Sequence, residues 1–113
     1  MRAAAIKGGP MVIFSVLYAA IDGAHFDHDY YNATHIPLVH EAFGSTGLTG
    51  VQVLKGLSAA DGGPAPFIAM AHLAFRDAEA LQASLGGPRA AEVMADVARF
   101  TNVVPIAQLS ALA

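Results

Sequence analysis

Residues 26–43 read FDHDYYNATHIPLVHEAF, and the fold turns on reading this stretch as one helix between two strands. Asp27 suits the N-cap, where its carboxylate can accept a hydrogen bond from a first-turn amide. Phe26 before the cap and Tyr31 four residues after it are placed for a hydrophobic staple. Pro37 lacks an amide proton and crowds the carbonyl of Ala33, so a kink is expected there. The helix is expected to end near Phe43, with Gly44-Ser45 as its stop. Three of the five histidines and two of the three tyrosines lie in this one segment. Any chemistry should draw on it.

Working outward, Met11 to Ala20 (MVIFSVLYAA) is rich in β-branched and aromatic residues and reads as a strand. Both of its alternate sets are largely apolar, so both faces should be covered. Arg2 and Lys7 ahead of this run give it some likeness to a secretory leader. Its strand-like alternation, and its place as the first strand of the fold, favour the strand. Residues 1–10, ending in Gly8-Gly9-Pro10, form a lead-in, and Ile21 to His25 turn around Asp22-Gly23.

After the helix, Gly47 to Gly56 is a second strand and Pro66 to Arg76 a third, joined through the loop Asp61-Gly62-Gly63-Pro64. Asp77 is placed to cap a helix running to about Leu85, and Gly86-Gly87-Pro88 breaks it. Arg89 to Phe100 reads as a further helix. Asn102 to Leu112 is a fourth strand, in which Pro105 implies an edge or a bulge. The order β-α-β, β-α-β predicts an α+β, ferredoxin-like domain over residues 11–112: four antiparallel strands with the helices on one face.

The 113 residues suffice for one core. They are 55% hydrophobic and 13% charged, which excludes disorder and leaves few charges to cover the surface. A homodimer that buries the second sheet face, forming a dimeric α+β barrel, is the natural expectation. The net charge of -3 argues against a nucleic-acid partner, which needs a basic face, and no membrane partner is expected. With no cysteine, disulfides, thiolate nucleophiles and cysteine metal sites are excluded. That composition fits a reducing compartment, and a cytoplasmic location is expected.

At about 100° per residue, His28, Tyr31, Asn32 and His35 fall along one helix face, continued by Val39. Polar groups on a face that meets the sheet can line a pocket; they can equally be rim residues and hydrogen-bonded core. His35 is the leading candidate for acid-base chemistry, because imidazole exchanges protons near neutrality. His40 should be exposed and His25 in the turn. His72 shares a strand face with Ile68 and Met70 and needs a polar partner, as do Gln52 and Gln108, and a structural role is favoured for all three. His28 and His35 are about 10 Å apart along the axis, too far for one metal ion. Without a Gly-rich phosphate loop, no nucleotide cofactor is expected. The alanine-rich second half shows almost no chemical signal.

Asp29-Tyr30-Tyr31, followed by His35-Ile36-Pro37-Leu38, resembles the central motif of the EthD family, named for ethyl tert-butyl ether degradation. Phe100-Thr101-Asn102-Val103-Val104-Pro105 resembles its last-strand segment, and the likeness runs from about Met11 to Leu112. It implies a dimeric α+β barrel akin to small monooxygenases and aromatic polyketide cyclases that need no bound metal or flavin. The family's histidine falls on His35 and its paired aromatics on Tyr30 and Tyr31. Two functions follow as expectations. One is a cofactor-independent enzyme on a small hydrophobic or aromatic substrate, with His35 as acid or base, Tyr31 orienting, and Tyr30, His28, Asn32 and His72 binding. The other is a non-catalytic dimer that binds an apolar ligand or supports a partner oxygenase.

Overall fold

A computed structural model describes residues 9–112; most of the expected lead-in lies outside them. The central strand β1 (Val12–Ala19) is flanked by β3 (Phe67–Phe75) and β4 (Ile106–Ala111), and β2 (Leu48–Lys55) pairs outside β3. The order β2-β3-β1-β4 is antiparallel throughout, which is the ferredoxin-like arrangement. Helix α1 (28–43) joins β1 to β2, and α2 (Ala78–Leu85) and α3 (Ala90–Asp96) join β3 to β4.

All three helices lie on one face of the sheet. On β3 the helix-facing set Ala69, Ala71, Leu73 and Phe75 is buried, whereas Ile68, Met70, His72 and Ala74 are only half-buried. The second face is open in the single chain, as the doubly apolar strands imply. The molecule is accordingly a slab, 19 Å in its thinnest extent, with a radius of gyration of 15.4 Å. A compact chain of this size would have about 13 Å.

The local differences from the sequence reading have physical causes. Just before Pro37 the helix widens into a π-helical segment, Tyr31–His35, and Pro37 sits in the first turn of the α-helix Ile36–Phe43, where no amide is needed. The α-helix ends at Phe43 as expected, with Gly44 as its C-cap, and a 3-10 turn, Gly44–Thr46, then leads to Gly47, whose φ of 109° is left-handed. A Cβ at Gly47 would also collide with that of Ala80 in α2, so glycine is required on both counts. Residues 102–105 stay outside β4, because Asn102 bonds the turn before α1 and Pro105 cannot donate to a ladder. The final helix ends at Asp96, followed by a 3-10 turn, Val97–Arg99. Among the described residues no helix is long and apolar enough to cross a membrane.

Asp77 caps α2 as expected. Its buried carboxylate accepts from the Ala80 amide at 2.8 Å, and this hydrogen bond, opposed by burial and assisted by Arg76, lowers its pKa. A depressed carboxylate stabilises the fold above its unfolded pKa of about 3.9 and loses that contribution as pH falls through the folded value. Asp77→Ala should therefore lower the melting temperature at neutral pH, with the gap to wild type closing in strong acid when both are followed by circular dichroism. Phe100, fully buried, should be far more costly: Phe100→Ala is expected to lose about 3–5 kcal/mol in urea unfolding.

Candidate functional site

The π-helical segment places two polar side chains in the core. The Ile36 amide bonds the Tyr31 carbonyl rather than that of Asn32, and π-helical turns of this kind recur at functional sites. Tyr31 and His35, four residues apart, both point to the sheet, at 2% and 4% exposure. Their rings stack with centroids 5.4 Å apart at 18°. Phe100 packs against both, 4.8 Å from Tyr31 and 4.6 Å from His35. The imidazole is held on both sides.

Its partner comes from the second half of the chain. His35 Nδ1 lies 2.9 Å from Asp96 Oδ2, and the Tyr30 hydroxyl donates to Asp96 Oδ1 at 2.7 Å. Arg99 Nε is 3.7 Å from the same oxygen. Burial of Asp96 disfavours its charge, but the hydrogen bonds from Tyr30 and His35 and the charge of Arg99 outweigh it, and its pKa is lowered. An ionised carboxylate only accepts, so Nδ1 of His35 carries the proton and donates. In the neutral ring the lone pair is then on Nε2. Tyr30 is correspondingly harder to ionise, chiefly through its bond to Asp96.

His35 and Tyr31 line a cavity of about 530 Å³ between helices and sheet. Phe14, Val16 and Ala71 form its floor, Val39 and Val93 part of its walls. Its polar groups are His35 and the phenols of Tyr18 and Tyr31. Burial pushes the Tyr31 phenol up to about 12 and raises that of Tyr18 further, with Tyr31 adding to the second shift. Both stay protonated at neutral pH, and the Tyr18 hydroxyl donates to that of Tyr31. Exposed lining residues, Met94 at 72% and Val104 at 85%, mark an apolar mouth.

The other sequence candidates lie elsewhere. Tyr30 acts on the site through Asp96. His28 is half-buried against Phe26, 4.7 Å between rings, with a pKa lowered by burial and then by Lys55, and lines no part of the cavity. Asn32 is exposed, because its side of α1 turns to solvent. His72 is on the opposite face of the sheet, hydrogen-bonded to Ser15, so it cannot share a pocket with His35. His25 is exposed in the turn and His40 on α1. Asp96 and Tyr18 were not legible as site residues. A carboxylate four residues before Phe100 in an alanine-rich helix has no local signature, and Tyr18 looks like any strand aromatic. Among the described residues no three His, Asp or Glu side chains gather to hold a metal ion.

The EthD domain matches residues 23–103, and the chain belongs to the EthD family. An EthD-like protein from Ralstonia eutropha JMP134 is 34% identical over 90% of this chain and 91% of that one, with a TM-score of 0.82. SnoaB from Streptomyces nogalater, a cofactor-independent oxygenase, shares the fold at 10% identity, covering 93% and 95%, with a TM-score of 0.67. A dimeric ferredoxin-like protein of unknown function from Thermobifida fusca YX shares it at 16% identity, 92% of each chain and a TM-score of 0.55. No curated protein matches the chain.

The cavity should bind an uncharged hydrophobic dye such as Nile red. Replacing Met94 at the mouth by glutamate should weaken binding about tenfold, or about 1.4 kcal/mol, in a fluorescence titration. The exposed position predicts an unchanged melting temperature.

Proposed function

We propose that this EthD-family protein is a cofactor-independent enzyme that takes a proton from a small hydrophobic or aromatic substrate, with His35 as the base. The observation that carries this reading is the Asp96–His35 pair at the wall of an otherwise apolar cavity. Asp96 holds the ring in the tautomer whose Nε2 can accept a proton, and its negative charge favours the imidazolium that results. The Tyr31 phenol, which accepts a hydrogen bond from Tyr18, can donate to a substrate oxygen on which charge develops. The apolar lining excludes water and strengthens these interactions. The shared fold of SnoaB, a cofactor-independent oxygenase, makes a deprotonated substrate that reacts onward with dioxygen a reasonable instance.

The working unit in this reading is a homodimer. The open apolar face needs cover, and the fold occurs in proteins described as dimeric. The nearly uniform apolar lining also suits a second role, a ligand-carrying dimer without catalysis. The two separate cleanly in one experiment. A panel of phenolic and polycyclic aromatic compounds is screened for binding and turnover. His35→Ala should lower kcat by about 10²–10⁴-fold while folding and ligand binding persist. Asp96→Asn, which keeps shape but releases the tautomer, should fall in the same range. Ligands that bind with no turnover by the wild type would assign the carrier role.

A further inference from the structure

The sheet face opposite the helices carries a pattern that the cavity does not use. Cross-strand partners set its side chains in three rows across all four strands. The middle row is Gln52, His72, Ser15 and Gln108, about 14 Å long at ordinary strand spacing. On one side of it runs Leu54, Met70, Leu17 and Ile106, wholly apolar; on the other run Gly50, Ala74, Ile13 and Ser110. Ser15 Oγ meets His72 Nδ1 at 2.8 Å, and Gln108 Nε2 donates to Ser110 Oγ at 3.1 Å.

We propose that this polar row is the register key of the interface between two copies of this chain, and that it makes their association acid-sensitive. The proposal rests on the homodimer reading above and deepens it. A twofold axis presents the same face to itself, and amide, hydroxyl and imidazole groups both donate and accept, so the row is complementary to its own copy. A slip of two residues along the strands would press it against the Leu54 to Ile106 row and leave its polar groups buried without partners. Apolar rows alone would not discriminate between those registers.

The charges favour a second copy as the occupant. Apart from His72, the open-face positions of the four strands carry no ionisable side chain, so with that ring uncharged two copies meet without repulsion. The nearest charged group along β3, Arg76, lies about 13 Å of strand beyond His72 and is held by Asp77 at 3.3 Å. A proton added to His72 would place a cation on this face, where no carboxylate of the four strands stands ready to pair with it. Closing the dimer would then bury an uncompensated charge from each copy.

Sedimentation equilibrium of the full chain at about pH 7.5 and about pH 5 tests this, alongside His72→Gln and Ile106→Asp. The wild type should dimerise at the higher pH, with a dissociation constant at least tenfold larger at the lower. His72→Gln should dimerise equally at both. Ile106→Asp should be monomeric at both with an unchanged circular dichroism spectrum, and Leu54→Asp on the opposite edge strand serves if it misfolds. A wild type that is monomeric, or dimers that survive the aspartates, would overturn the interface and the homodimer reading together. Aspartate-sensitive dimers equally tight at both pH values would overturn the polar-row proposal alone.

Discussion

The structure depends on a clamp between two segments seventy-odd residues apart. The Asp27 amide bonds the Phe100 carbonyl at 2.8 Å, and Thr101 Oγ1 donates to the His25 carbonyl at 2.6 Å. Asn102 completes it, accepting from the His25 amide at 2.8 Å and donating to the Gly23 carbonyl at 3.0 Å. These bonds anchor the start of α1 to the chain just beyond α3. Phe100 is thereby driven into the aromatic cluster of Tyr18, Phe26 and Tyr31. Buried aromatic packing and satisfied backbone groups reinforce each other here.

The site follows from that anchoring. With α1 and the end of α3 locked together, His35 and Asp96 meet across 61 residues of sequence separation. Phe100 serves both, as the plug of the core and as one wall of the imidazole. The π-helical segment matters because it lets the helix pass Pro37 without losing the inward direction of Tyr31 and His35. The result is a cavity whose polarity is confined to one oriented histidine and two phenols. The opposite sheet face takes no part in it.

That division of labour explains the fate of the histidines. His35 and His72 are both polar groups on apolar faces, and residue type does not separate them. Strand parity does: His72 alternates with Leu73 and Ala71, which line the cavity, so it must face away. On the outer face it joins Ser15.

From its residues alone, this chain determined the strand order, the two β-α-β halves and the Asp27 and Asp77 caps. Those features rest on local periodicity, turn chemistry and capping, all readable within a few residues. The π-helical widening, the 3-10 turn between α1 and Gly47 and the release of Asn102 from the last strand needed neighbours that sequence does not place. Tertiary structure alone decided that Asp96 and Tyr30 support His35, that Tyr18 faces the cavity, and that Asn32, His28 and His72 lie outside it. The reason is geometric. A hydrogen bond of 2.9 Å between residues 35 and 96 is set by how two helices dock, and no spacing along the chain encodes it.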